Sequence, residues 1–123
     1  MAGHKSVLIL EDEDEIRLAL HEFLENKGYS VLSDWNGEEA LDRLRSAPEC
    51  PDLISLDLMM PVMDGLQFLK EKSEDAKLRS IPVMIVSAIA GISIPPYECV
   101  KGQIDKPVDM ELFLNKVREH CGS

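Results

Sequence analysis

Asp52-Leu53-Ile54-Ser55-Leu56-Asp57-Leu58-Met59-Met60-Pro61-Val62-Met63-Asp64-Gly65 is the stretch that decides the fold. It opens as an apolar run of strand length between Pro51 and Pro61, too short for a free-standing helix. Such a run suits a strand buried on both faces, in the middle of a parallel sheet. Asp57 closes it, where an ionised carboxylate is costly to bury unless a cation or hydrogen-bond donors meet it. Pro61 stops the strand, and Asp64-Gly65 makes a turn whose aspartate can cap the next helix. Open α/β sheets place their chemistry at the carboxyl ends of their strands, so Asp57 is a candidate functional acid.

The rest of the chain repeats the pattern on either side. Ser6-Val7-Leu8-Ile9-Leu10 reads as a strand that runs directly into Glu11-Asp12-Glu13-Asp14-Glu15. Acids suit the first turn of a helix, and Glu13, Asp14 and Glu15 are expected on a solvated face. Glu11 and Asp12 sit at the strand end, as Asp57 does. Ile16, Leu20, Phe23, Leu24 and Lys27 mark a helical face closed by Gly28, and Tyr29–Ser33 reads as a second strand. Asn36 with Glu39 resembles a capping box opening a helix with Ala40, Leu41 and Leu44 inward. A third helix from about Asp64 to Ser73 carries Leu66 and Leu69. Ile81–Val86 is a fourth apolar run ending at Ser87-Ala88, and a short fifth strand around Gln103-Ile104-Asp105 reaches Lys106-Pro107. Asp109 caps a last helix with Met110, Phe113, Leu114 and Val117 inward. Strands alternating with helices predict a parallel sheet covered on both faces.

Length and composition bound the function. At 123 residues the chain suits one domain over 1–123, large enough for its own core. No apolar run approaches membrane-spanning length and no signal peptide is evident, so a cytoplasmic protein without a membrane partner is expected. Cys50, Cys99 and Cys121 are scattered and odd in number, which argues against both a disulfide framework and zinc. A net charge of −10 would repel a phosphate backbone, so direct nucleic-acid binding is not expected. The same charge is compatible with a divalent cation or a basic partner.

If all strands run parallel, Glu11, Asp12, Asp57, Ser87 and Lys106 lie along one rim. Three carboxylates that close repel one another, and Mg²⁺ together with the Lys106 ammonium would relieve them. Such a site can bring a phosphoryl group to a carboxylate nucleophile, with the Ser87 hydroxyl donating to one of its oxygens.

These features together resemble the receiver domain of two-component response regulators, over essentially the whole chain. The resemblance rests on Glu11-Asp12, on Asp57 in LDLMMPVMDG, on Ser87-Ala88 and on Lys106-Pro107. It implies a three-layer flavodoxin-like fold, a five-stranded parallel sheet of order 2-1-3-4-5 with helices on both faces. It also implies that Asp57 accepts a phosphoryl group from a histidine kinase or phosphotransfer protein, switching a surface for a downstream protein target. Asp12, Asp57 and the Met59 carbonyl would ligate Mg²⁺, with Glu11 acting through a water. Ser87 and Lys106 would contact the phosphoryl oxygens, and the Lys106–Pro107 bond is expected in the cis form. Such a protein is no turnover enzyme; it catalyses only its own phosphotransfer and slow self-dephosphorylation.

Three departures stand out. Glu11 replaces a frequent aspartate. Gln103 stands where receivers often carry an aromatic switch. Gly91 and Pro95-Pro96 forbid a continuous fourth helix, so that helix is expected to be shortened or irregular over residues 89–101, with at most one turn from Tyr97 to Lys101. The two last departures motivate an alternative, an interaction module with a vestigial pocket. A Mg²⁺-dependent phosphatase is a third reading, disfavoured because Met59 stands where a DxD arrangement would place its second acid. The last helix ends near the chain's end, leaving no room for an output domain in this sequence, whether the chain stands alone or is part of a longer protein.

Overall fold

Each apolar run forms a strand in the computed structural model of the protein, which describes residues 5–60, 62–88 and 97–121. The elements are β1 (Ser6–Leu10), α1 (Asp14–Asn26), β2 (Ser30–Asp34), α2 (Gly37–Ser46), β3 (Leu53–Asp57), α3 (Gly65–Ser73), β4 (Val83–Ser87), β5 (Val100–Asp105) and α4 (Met110–Cys121). All neighbouring strands pair in parallel, in the order β2-β1-β3-β4-β5. The expected sheet is therefore the observed one.

Alternation along the strands divides the core in two, because successive side chains point to opposite faces. Leu8 and Leu10 of β1 face Ala40, Leu41 and Leu44 of α2 and Phe68 and Leu69 of α3. Val7 and Ile9 face the other way, into a cluster with Leu20 and Leu24 of α1 and Phe113 and Val117 of α4. Every residue of β3 and β4 is buried, so their near-continuous apolar character follows from having helices on both sides. The helices start where side chains can stand in for missing backbone acceptors. Asn36 accepts from the Glu39 N–H at 2.9 Å, Asp64 from Gln67 at 2.9 Å and Asp109 from Leu112 at 3.1 Å.

Two expectations need correction. Tyr29 does not begin β2: its N–H donates to the Leu24 carbonyl at 3.1 Å, so it still belongs to the end of α1, after Gly28 with φ +95°. On α3, Phe68, Leu69 and Lys72 turn inward while Leu66 is 38% exposed. β5 starts at Val100 rather than near Gln103. Its partner sets that start, since Val83 pairs with Val100 and the Val83 N–H donates to the Cys99 carbonyl at 2.7 Å. That pairing leaves a tight turn at Glu98 and Cys99, within the limit of at most one turn expected from Tyr97 to Lys101. The irregular segment itself, residues 89–96, lies outside the described residues, as does Pro61.

Lys72 is a buried charge that no sequence pattern announced. It is fully enclosed, and its Nζ donates to the Arg79 carbonyl at 3.2 Å. Burial pushes its pKa down, and the neighbouring Cys99 thiol works the other way. On the opposite side of the sheet, burial pushes the Cys121 thiol up to about 12, so it stays protonated.

Candidate functional site

Strand register alone gathers the acids. Leu10 lies beside Leu56, Asp57 beside Val86, and Ser87 beside Asp105, so four strands end at one level. Glu11 and Asp12 follow β1, Asp57 ends β3, Ser87 ends β4 and Lys106 follows β5. Carboxylate oxygens of Glu11, Asp12 and Asp57 all lie within 4.8 Å of one another. The Lys106 Nζ stands 2.9 Å from Glu11 Oε1 and 3.4 Å from Asp57 Oδ2. Its backbone N–H donates to the Ser87 carbonyl at 2.8 Å, which clips the end of β5 to the end of β4. The Ser87 side chain is fully buried. The Lys106–Pro107 bond is cis, as the resemblance implied. All five rim residues read from the sequence thus converge.

The loop after β3 holds Asp57 in place from two directions. The Met59 N–H donates to Asp57 Oδ1 at 3.1 Å, while the Met59 side chain is 58% exposed. Gly65 presses on the strand end: a Cβ there would lie 2.7 Å from Leu58 Cα and 2.8 Å from the Asp57 carbonyl oxygen. Val62 carries φ +67°, a conformation costly to a β-branched residue, and its side chain is exposed. Val62→Asn is therefore expected to raise stability by about 1 kcal/mol, since asparagine enters this region readily and no packing is lost. Urea unfolding would measure it; a midpoint at or below the wild-type value would show that Val62 stores no strain.

Electrostatics make the site incomplete as it stands. Burial pushes the pKa of Asp57 upward, with the Glu11 charge adding to it, against the Met59 and Asp12 hydrogen bonds. Burial also raises Asp12, helped by its hydrogen bond to Asp57 and that residue's charge. For Lys106, burial works to lower the pKa but is outweighed by Glu11 and Asp57, so the ammonium is held above its usual range. Three acids and one ammonium leave −3 + 1 = −2 at the rim. Glu13, expected on a solvated face, instead reaches Lys106 at 3.4 Å and deepens the deficit. Among the described residues, the buried Asp57 Oδ2 has no hydrogen-bond partner. An oxygen-rich, dianionic pocket with an orphaned carboxylate oxygen fits a hard divalent cation such as Mg²⁺.

The chain matches the family model of the response regulator receiver domain over residues 7–118. It belongs to that family. The receiver is 34% identical over 122 residues to the polar-differentiation response regulator DivK of Brucella anthropi, covering 96% of this chain and 97% of the relative. The structure of the chemotaxis response regulator CheY4 of Vibrio cholerae superposes with a TM-score of 0.82 at 25% identity, covering 95% of this chain and 98% of that one. The receiver domain of the sensor histidine kinase PA1611 of Pseudomonas aeruginosa shares the fold with a TM-score of 0.84 at 21% identity, over 98% and 100% of the two chains. That structure holds a magnesium ion coordinated in its active-site cleft. The protein is thus a two-component receiver of the DivK and CheY type, a class that interacts with histidine kinases or phosphotransfer proteins. No helix among the described residues is long and apolar enough to cross a membrane.

Proposed function

We propose that Asp57 is the phosphoacceptor of this receiver. The single observation that carries the reading is the buried Asp57 Oδ2, without a hydrogen bond among the described residues and 3.4 Å from the Lys106 ammonium, beside two further carboxylates. Oδ2 attacks the phosphorus of a phosphohistidine, the P–N bond breaks as the P–O bond forms, and the imidazole leaves with a proton. Oδ1 keeps the Met59 N–H, so the carboxylate cannot rotate away during the attack. Lys106 exchanges part of its contact with Glu11 for an incoming phosphoryl oxygen, and Ser87 donates its hydroxyl to another. Asp12, Asp57 and the Met59 carbonyl would hold Mg²⁺, with Glu11 acting through a water. The ion, when bound, supplies two positive charges to offset the transferring group. The chain turns over no other substrate: it catalyses its own phosphorylation and slow loss of the group, and hands the changed surface to a protein target. Acetyl phosphate with Mg²⁺ tests this. Borohydride trapping and peptide mapping should find a single acid-stable, base-labile acyl phosphate at Asp57. Label at another residue, or none, would overturn the assignment.

The metal assignment separates Asp12 from its neighbour. Asp12→Ala is expected to weaken Mg²⁺ binding at least tenfold, because it removes a carboxylate facing Asp57. Glu13→Ala should shift it by less than about twofold, since the largely exposed Glu13 side chain pairs only with Lys106 among the described residues and its N–H bond to Glu11 is kept. Amide-shift titration with MgCl₂ reads both affinities. Equal losses in the two variants would remove Asp12 from the metal site.

A further inference from the structure

A second cavity, of about 400 Å³, opens at the other end of the sheet. It lies beside the starts of β4 and β5, where the Val83 N–H meets the Cys99 carbonyl. The length of β4 puts it roughly 13 Å from Ser87, at ~3.3 Å per residue. Its walls carry Arg79, Ser80, Tyr97, Glu98 and Lys101, with Cys99 and the α3 end behind them. That volume is within the usual range for a small-ligand site.

Its charge runs against that of the chain. The molecule carries −10 overall, yet Arg79 and Lys101 against Glu98 make +2 − 1 = +1 in this lining. Arg17, Arg43, Arg45 and Lys106 are all engaged with carboxylates. Among the described residues, the Arg79 guanidinium and Lys101 ammonium have no ion pair, and the Ser80 and Tyr97 hydroxyls have no hydrogen bond. Lys72 fixes the Arg79 backbone through its carbonyl, and the half-buried Tyr97 ring packs on the core. Two cations and two hydroxyls, all without partners among the described residues, line one concave wall, and one of the cations is a planar fork. That donor set matches the oxygens of a phosphate. Glu98, the one acid in the lining, opposes polyanions and can accept from a ligand hydroxyl.

We propose that this cavity binds a small hydroxylated phosphate monoester, making the receiver responsive to a metabolite at a site separate from the carboxylate rim. The source, a sugar phosphate or a nucleoside monophosphate, is separated by the probes. The full chain is titrated in EDTA with ribose 5-phosphate, AMP, ribose, adenosine and inorganic phosphate while amide shifts are followed. One or both esters should saturably shift Ser80 and residues 98–101, and ribose and adenosine should not. The Arg79→Gln/Lys101→Gln variant should lose at least tenfold in affinity. Lys101→Gln alone, on an exposed edge strand, should lose at least threefold, which no loss of folding would explain. Adenosine or ribose binding as tightly as its phosphate ester would overturn the proposal. So would inorganic phosphate alone matching the esters, shifts confined to Ser87 and Lys106, unchanged affinity in both variants, or no saturable shift at all.

Discussion

The Asp57→Asn protein is expected to take up no phosphoryl group and, without Mg²⁺ at neutral pH, to be more stable than the wild type. Both results come from one atom. Asp57 Oδ2 is buried without a hydrogen bond among the described residues, so it is a ready nucleophile and also a charge that the Lys106 ammonium at 3.4 Å, shared with Glu11, compensates only in part. Neutralising it should stabilise the fold by on the order of 1–3 kcal/mol, the usual scale for a buried group lacking its partner. The direction with pH follows from the raised pKa. The folded protein holds the Asp57 proton more tightly than the unfolded chain, so this carboxyl destabilises the fold increasingly as pH rises from 3.8 through its higher folded value. The stability gap between variant and wild type should therefore be full at neutral pH, shrink as the solution is acidified through that folded value, and vanish below 3.8. Mg²⁺ should narrow the gap at neutral pH, because it stabilises the wild type more. Intact-mass spectrometry and urea unfolding over pH would read the two results. Labelling of the variant, or a gap that widens in acid, would contradict the account.

Gly65→Ala is expected to cost 2 kcal/mol or more in stability, roughly the upper part of the range for overpacking, and to slow phosphoryl uptake at Asp57. The added methyl would meet Leu58 Cα at 2.7 Å and the Asp57 carbonyl at 2.8 Å, both of them backbone and unable to rotate aside. Either α3 lifts from the end of β3 or the strand end shifts, and Asp57 moves with it. Gly37→Ala is the control: its nearest neighbours at 3.1 Å include the flexible Met63 side chain, so a smaller loss is expected. Equal losses in the two variants would mean that the Gly65 contact is not special.

Much of this was legible in the residues, for physical reasons. Apolar runs of five residues ending in Asp57 and Ser87 reveal buried strands, and a carboxylate there has few structural explanations. Acid–strand junctions at Glu11 and Asp12 and the Lys106-Pro107 pair completed the rim. Boundaries decided by partners were not legible. Val100 joins β5 because Val83 pairs with it, although Val-Lys-Gly-Gln-Ile-Asp alternates too weakly to show a strand start. Tyr29 looks like a strand residue, but its N–H is held by α1. Lys72 gave no warning, since a lysine on an amphipathic helix usually points to water. The only signal was its spacing of three and four residues from Leu69 and Phe68, on the same helical face. The reach of Glu13 to Lys106 likewise depends on the turn before α1, not on the acidic run itself.

The hydrogen bond from the Lys106 N–H to the Ser87 carbonyl has a consequence for binding entropy. It ties together two residues that come from separate strands, and it forms when the sheet forms. The spacing between their backbones is therefore fixed before any anion arrives. On the proposed reading, an oxygen entering between the hydroxyl and the ammonium would meet donors mounted on one rigid edge, and less of its binding energy would be lost in gathering them. Loosening that edge would leave every side chain of the pocket present and still weaken its grip.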